Sequence, residues 1–330
     1  MNILVCGGAG YIGSHMVRVL QSAGHQVSIF DNLSTGYEWS IPDGVFLLQA
    51  DLLNEGALES FLSSQKFDAV MHFSAKSLVG ESVQQPHEYY LNNVLGTLNL
   101  LRAMSKAEID KFVFSSTAAT FGNPVSDLID ENHPQNPINP YGKTKLMVEQ
   151  ILQDYASAYG LRSVSLRYFN AAGADPSAEI GEAHDPETHL IPNILRSCLS
   201  ALPANQLKVF GTDYPTPDGT CVRDYIHVND LADAHLKAIH YMDSREGAHA
   251  FNLGNGSGFS VLEVLAAAEE IVGQKIPYEI APRREGDPAV LVADSSLAKQ
   301  TLDWMPEYQD IKSIIETAWT WHQRHHGDKK

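Results

Sequence analysis

Ile3-Leu4-Val5-Cys6-Gly7-Gly8-Ala9-Gly10-Tyr11-Ile12-Gly13 runs an apolar tetrad straight into glycines spaced Gly-x-x-Gly-x-x-Gly. Ile3 to Cys6 reads as a short buried strand, and Tyr11 to Ser22 as the helix after it, stopped near Gly24. Between a strand and a helix, such glycines permit a tight turn, close approach of a pyrophosphate to backbone amides, and close helix–strand packing. The helix N-terminus adds partial positive charge facing the anion. Gly7, Gly10, Tyr11, Ile12 and Gly13 are therefore expected to form a dinucleotide-binding loop.

Working outward, Gln26 to Asp31 is a second strand, ending in a carboxylate eighteen positions after Gly13. An acid there accepts hydrogen bonds from ribose hydroxyls and repels a 2′-phosphate, which favours NAD over NADP. Asn32 follows in the same turn. Asp51-Leu52, at the end of a third strand from Val45 to Asp51, either flanks the adenine or leaves Asp51 as a cap or turn residue. Strand-like segments Ala69 to Phe73, Phe112 to Ser115 and Ser163 to Arg167 then alternate with helix-like segments Gly56 to Ser63, Pro86 to Met104 and Tyr141 to Tyr159. This alternation predicts an α/β fold, a doubly wound parallel sheet with crossover helices.

Beyond residue 170 the pattern loosens. Ala171 to Thr188 is rich in Gly, Pro, Asp and Glu, and reads as a long surface loop, a kind that is often functional. Helix Leu190 to Ser200, strand Lys208 to Phe210, a Pro/Gly segment from Asp213 to Gly219, helix Asn229 to Tyr241, strand Ala250 to Leu253 and helix Val261 to Val272 follow. The tail from His325 to Lys330 is expected to fray.

The chain has 330 residues, 44% of them hydrophobic, enough for one large domain or two unequal ones. It contains no run of about 18 apolar residues, so no membrane span is expected. Its start lacks the basic segment of a signal peptide. Three cysteines, Cys6, Cys198 and Cys221, have no paired spacing, which fits a reducing, cytoplasmic setting. A formal net charge of −17 argues against nucleic acid or an anionic membrane as partner. An anionic ligand would need local arginines. His184 and His189 flank an acidic stretch, but their spacing is no known ligand pattern, and no metal is expected.

The chemistry centres on Asn139-Pro140-Tyr141-Gly142-Lys143-Thr144-Lys145. A spacing of four puts the Tyr141 phenol and the Lys145 ammonium on one helix face. A free tyrosine titrates near about 10, too high for a neutral-pH base, and a fixed cation lowers that value. Upstream lies Ser115-Ser116-Thr117, where the Thr117 hydroxyl is placed to hold a substrate oxygen beside the phenol. On its own, Tyr-x-x-x-Lys is common on solvated helix faces. Beside a dinucleotide loop it becomes a proton-transfer device next to a hydride acceptor.

With these pieces assembled, the chain closely resembles the UDP-hexose 4-epimerase branch of the extended short-chain dehydrogenase/reductase family, nearly end to end. The resemblance rests on Gly7 to Gly13, Asp31-Asn32-Leu33, Val79-Gly80-Glu81-Ser82, Asn92 to Thr97, Phe114 to Ala118, Asn139 to Lys145, Arg167 to Gly173, Asp218 to Val228, and Pro282 to Asp287. It implies a Rossmann-type sheet of about seven strands in residues 1–170, with a segment near 225–241 returning to it. A smaller α/β UDP-sugar domain would occupy 171–330. It implies a homodimer paired through Pro86 to Met104 and Tyr141 to Tyr159. The implied activity interconverts UDP-glucose and UDP-galactose at C4 through a transient 4-keto sugar and bound NAD.

Residue by residue, the resemblance makes Tyr141 the acid/base, Lys145 its partner and a nicotinamide-ribose ligand, and Thr117 the donor to the 4-oxygen, where many members carry serine. Phe73, Ala75, Asn92, Ser115 and Tyr168 would line the NAD. Asn170, Leu190, Phe210, Arg223, Tyr225, Arg284 and Asp287 would hold the UDP-sugar, and Leu291 would stand beside the sugar 2-substituent. Lys76-Ser77 departs from relatives with lysine one position later. Arg223 and Arg284 would supply the cations a diphosphate needs, unless they merely pair with adjacent Asp224 and Glu285. Two rivals share the loop: a sugar-nucleotide 4,6-dehydratase, which needs an Asp-Glu pair where this chain has Ala118-Ala119, and a non-catalytic NAD-binding regulator, which would typically lose Tyr141 or Lys145.

Overall fold

The first apolar tetrad is a central strand with alternate residues on opposite faces. In Asn2–Cys6, Ile3 and Val5 enter one core with Met16, Val17, Leu20 and Leu231, while Leu4 and Cys6 enter another with Phe30, Leu58 and Leu100. Burial on both faces is what a continuous apolar run in a parallel sheet requires. The computed structural model describes residues 1–199, 207–284 and 287–326, and contains a seven-stranded parallel sheet. Its order is Phe46–Gln49, Gln26–Asp31, Asn2–Cys6, Ala69–His72, Lys111–Thr117, Arg162–Tyr168, Ala248–Leu253. Chain order reverses between Asn2–Cys6 and Ala69–His72. That reversal opens a crevice at the carboxyl ends of the strands, where the glycine loop emerges.

Helix Tyr11–Ser22 and strand Gln26–Asp31 fall where the sequence puts them. The third strand is shorter than expected, Phe46–Gln49, and the fifth is longer, Lys111–Thr117, so Thr117 still belongs to the sheet. The long helix expected over Pro86 to Met104 is not uniform. It comprises Pro86–Tyr89, a π-helical Tyr90–Leu95 and Gly96–Lys106, with a further helix Val79–Gln84 before it. The wide turn carries Asn93, which is 2% exposed. Its side chain accepts from the Lys76 amide at 2.9 Å and donates to the Lys76 carbonyl at 3.0 Å and Thr144 Oγ1 at 3.1 Å. A helix that widens to aim one polar side chain at a neighbouring segment is a familiar functional device.

The segment returning to the first sheet is longer than the expected 225–241. Helix Val228–Tyr241 packs on Tyr11–Ser22, and the chain continues into strand Ala248–Leu253, whose Leu253 is in register with Tyr168. A third core joins helices Leu190–Leu199, Val261–Val272 and Ile311–His326 through residues such as Ile194, Leu265 and Ile315. Ile311–His326 and Ser296–Leu302 were not anticipated. Of the short strands in the small sheets, Lys208–Phe210 falls where the sequence puts it, whereas Leu128–Ile129, from the first half of the chain, and its partner Val290–Ala293 were not anticipated. The segment expected to be a surface loop, Ala171 to Thr188, is in large part interior. It opens in strand Asn170–Ala172, buries Ala174 and Ile180 completely, and brings Gly181 so close to Trp321 that a Cβ would lie 2.4 Å from the indole. Ser200, Glu285, Gly286 and the tail from Gly327 to Lys330 lie outside the described residues. Among those described, no helix is long and apolar enough to cross a membrane.

Asp224 ties the segment after strand Ala248–Leu253 to strand Val290–Ala293. It is fully buried, and its carboxylate accepts from the amides of Asn255 at 2.7 Å, Gly256 at 3.0 Å and Ala293 at 3.1 Å. Gly254 packs against it, where a Cβ would sit 2.4 Å from Oδ2. Asp224→Ala would leave three donors without their acceptor, each costing about 1–3 kcal/mol. Urea unfolding should show a loss of about 3 kcal/mol or more, and a near-unchanged midpoint would refute this role.

Candidate active site

The glycine loop is built by exclusion. Gly7 has φ +82°, and a Cβ there would lie 2.6 Å from the Ser74 amide; one at Gly13 would lie 2.0 Å from the Gly7 carbonyl. Side chains cannot enter either position. At Gly10 an added Cβ would meet only the Gly7 oxygen, at 3.4 Å, so this glycine faces open space. Gly10 is also the N-cap of Tyr11–Ser22, which has no side-chain cap and no acid in its first turn. An uncapped helix end behind a bare backbone loop fits a pyrophosphate. Ile12 packs at the edge of the first core. The Tyr11 side chain turns away from the loop: its hydroxyl donates to the Gly173 carbonyl at 2.7 Å, so only its main chain remains beside the glycines.

Asp31 is 7% exposed and accepts from Ala9 N at 3.0 Å and Leu33 N at 2.8 Å. Burial pushes its carboxyl up and the two amides pull it back. Leu33 holds a left-handed φ of +57°, a strained conformation for leucine that the Asp31 bond helps to maintain. Asn32 donates to Asp51 Oδ2 at 2.7 Å, while Asp51 Oδ1 accepts from Leu53 N at 2.8 Å. Asp51 is thus a turn residue that also braces Asn32. The Leu52 carbonyl accepts from Asn99 at 3.1 Å.

Strand Lys111–Thr117 and helix Pro140–Tyr159 meet at the glycine between tyrosine and lysines. A Cβ on Gly142 would stand 2.3 Å from the Ala119 carbonyl, so glycine alone allows this approach. Asn139 caps the helix, its Oδ1 accepting from Gly142 N at 2.8 Å. The Thr117 hydroxyl accepts from Ala119 N at 3.2 Å and, near the Tyr141 phenol, draws that group down. Lys145, 3% exposed, donates to the Ser115 carbonyl at 2.8 Å. Its Nζ lies 4.7 Å from the Phe114 ring centre and 6.0 Å from that of Tyr141. The Ser115 and Tyr168 hydroxyls hydrogen-bond each other.

The electrostatics differ from the sequence expectation of a phenol made acidic by its cation. Burial pushes the Tyr141 phenol up, and the Thr117 hydroxyl works against it. Burial also pulls the Lys145 ammonium down to about 7, opposed by Glu149. Both charged forms lose solvation here, and the ammonium points at the Ser115 carbonyl rather than at the phenol.

Of the other residues expected on the cofactor side, Phe73 directly follows strand Ala69–His72. The Phe73 ring lies 4.8 Å from that of His235, Ala75 is half-buried, and Asn92 donates to Asn93 Oδ1 at 2.9 Å. Lys76 is half-buried, with Nζ 3.6 Å from Glu81. Of the residues expected on the substrate side, Arg223 pairs with Asp287, not with adjacent Asp224, and its neighbour in register is Leu291. The exposed Arg284 guanidinium lies 4.1 Å from the Phe210 ring centre; its alternative partner Glu285 is outside the described residues. Asn170 donates to the Asp224 carbonyl at 2.8 Å and is in register with buried Tyr225. Leu190 opens helix Leu190–Leu199. Sequence reasoning missed Asn93, Glu149 and Arg167. Glu149 was within reach, since it follows Lys145 by four on the same helix face.

Residues 3–254 match the family described as NAD dependent epimerase/dehydratase. The chain is 52% identical over 323 residues to a UDP-glucose 4-epimerase of Rhizobium meliloti (strain 1021), covering 98% of this chain and 97% of that protein. Its fold matches the UDP-glucose 4-epimerase of Brucella ovis in complex with NAD, with a TM-score of 0.93 at 46% identity over 97% of each chain. It likewise matches that of Bifidobacterium longum in complex with NAD+ and UDP, with a TM-score of 0.92 at 38% identity over 98% of each. This chain belongs to the NAD dependent epimerase/dehydratase family and, within it, to the UDP-glucose 4-epimerases.

Proposed function

We propose that this protein interconverts UDP-glucose and UDP-galactose by inverting sugar C4 with a retained NAD. The observation that carries the reading is Tyr141, one helical turn from Lys145 and beside the Thr117 hydroxyl that opposes the effect of burial on its phenol, at the strand ends that carry the glycine loop. The loop from Gly7 to Gly13 would hold the pyrophosphate, Asp31 the adenosine ribose, and Asn32, Asp51 and Leu52 the adenine side. Phe73, Ala75, Asn92, Ser115 and Tyr168 would line the nicotinamide side, and Lys145 would bind its ribose. When bound, NAD supplies the acceptor and donor of the C4 hydrogen.

Tyr141 takes the proton from the sugar 4-hydroxyl and later returns it. Thr117, fixed by the Ala119 amide, orients that oxygen. Lys145 in its charged form stabilises the phenolate, and Glu149 keeps that form accessible against burial. Arg223 and Arg284 bind the diphosphate, while Asn170, Leu190, Phe210, Tyr225 and Asp287 complete the UDP side. Inversion needs the 4-keto sugar to show its other face, so the nucleotide is clamped and the hexose is not. A dehydratase is disfavoured because Ala118 and Ala119, in the turn after Thr117, carry no proton-transfer group. A non-catalytic regulator is disfavoured by the intact Tyr141 and Lys145.

We divide the chain into an NAD-binding part, 1–170 with the returning segment, and a UDP-sugar part in the remainder. We also assign a homodimer paired through the helices within 86–106 and Pro140–Tyr159, where Leu95 and Met147 are exposed; a monomeric mass by light scattering would overturn it. Three free cysteines support a cytoplasmic setting.

A coupled assay without added NAD should show UDP-galactose turning over. Tyr141→Phe should lose about 10²–10⁴-fold in kcat with its bound nucleotide retained, and a variant keeping most of its activity would sink the assignment. Leu291, beside Arg223 on a half-buried strand, leaves more room than tyrosine would. N-acetylated UDP-sugars should therefore be epimerised too, and Leu291→Tyr should lower the ratio of N-acetylated to plain turnover at least about tenfold. Absence of any N-acetylhexosamine turnover would remove Leu291 from this role.

A further inference from the structure

We propose that Glu182, His184, Glu187 and His189 form a binding site for one divalent transition-metal ion of the zinc class. The four side chains each bring a ligand atom into one cluster, all within 4.8 Å of one another. His184 Nδ1 lies 3.0 Å from Glu182 Oε1 and 3.8 Å from Glu187 Oε2. His189 Nδ1 lies 2.8 Å from Glu182 Oε1 and 3.0 Å from Glu187 Oε1. A tetrahedral ion with bonds of about 2.0–2.1 Å needs neighbouring ligands about 3.3 Å apart. The observed separations bracket that value.

A second observation points the same way. The side chains of Glu182 and Glu187 are only 5% and 2% exposed, and Glu187 Oε2 is buried without a hydrogen-bond partner. Two buried carboxylates, one with an unsatisfied oxygen, form an expensive arrangement unless a cation sits among them. Two imidazoles can offset part of that charge only by taking up protons. A dication neutralises both carboxylates while the imidazoles stay neutral, and two imidazole nitrogens with two carboxylate oxygens form a donor set that suits zinc. His189, 46% exposed, leaves the cluster open to solvent for the ion to arrive.

The position gives the ion a structural role. Tyr11 meets His184 edge-on at 6.2 Å between ring centres and bonds the Gly173 carbonyl, so the cluster abuts the start of the first helix. His189 immediately precedes helix Leu190–Leu199. An ion here would staple the connector from Gly173 to His189 against the first helix and fix where the next one begins. The sequence conceals this because the ligands lie two, three and two positions apart in an irregular loop, with no helical or knuckle spacing.

Tag-free full-length protein, purified without chelator and desalted, should carry about one zinc ion per chain by mass spectrometry of the metal. His184→Ala and His189→Ala together should reduce this at least about tenfold. Should that variant fold poorly by circular dichroism, the wild type decides alone. After stripping with a chelator it should bind Zn²⁺ in calorimetric titration, develop the visible spectrum of tetrahedral Co²⁺, and melt at higher temperature with Zn²⁺ than without. Stripped wild type that takes up neither ion at micromolar concentration, or a well-folded double variant that binds both as the wild type does, would leave only a histidine–glutamate ion-pair cluster and overturn the proposal.

Discussion

The site depends on a carboxylate that never needs to touch substrate. Glu149 is 4% exposed and accepts from Arg167 Nε at 3.0 and 3.1 Å and Nη2 at 2.6 Å, from Ser116 Oγ at 2.5 Å and from Gln135 at 3.2 Å. These bonds weld helix Pro140–Tyr159 to strands Lys111–Thr117 and Arg162–Tyr168. They fix Tyr141 and Lys145 relative to Thr117 and Ser115. A buried ion pair is poor value as pure stability, because desolvation cancels most of its attraction. Its worth here lies in position and charge. Glu149 is the group that opposes burial at Lys145, and it sits one helical turn away with every bond directed.

Around that weld the chain crosses repeatedly between its cores. Leu128–Ile129 leaves the first half to join the small sheet, and Ala248–Leu253 comes back to close the large one. Asp224 links the backbone of Asn255 and Gly256 to that of Ala293. Arg223 and Leu291 therefore stand on strands anchored by the same buried acid that follows Arg223 in sequence, and Asp287 reaches Arg223 from the segment before the second of them. A net charge of −17 is compatible with an anionic ligand because the arginines are placed locally, one against Asp287 and one over Phe210.

Much of this was legible where local chemistry decides. Helix Val261–Val272 begins at a reciprocal capping box between Ser260 and Glu263 and stops at left-handed Gly273, and its bounds follow from those signals. Strand Gln26–Asp31 is an apolar run with clear stops. The π-helical turn at Tyr90–Leu95 was hidden because it answers to Asn93 reaching Lys76 and Thr144, contacts distant in sequence. Strands of two residues, such as Val222–Arg223, have no periodicity to read. The segment from Ala171 to Thr188 has a loop's composition, yet Ile180 is fully buried and Gly181 packs against a helix over a hundred residues away.

The phenol is where sequence logic and structure meet least simply. Spacing alone says that the lysine lowers the tyrosine; the buried geometry raises one group and lowers the other. Burial is the first cause of both shifts, Thr117 opposing it at the phenol and Glu149 at the ammonium. Burial disfavours phenolate and ammonium separately, but a phenolate beside an ammonium is an ion pair whose partners solvate each other. The neutral pair and the charged pair are thereby brought closer in energy than either isolated ionisation would allow. A base must accept a proton and give it back with equal ease when the reaction runs in both directions. In the proposed reaction, a phenol that is neutral at rest and ionises beside a Lys145 balanced between burial and Glu149 meets that requirement better than one held permanently charged.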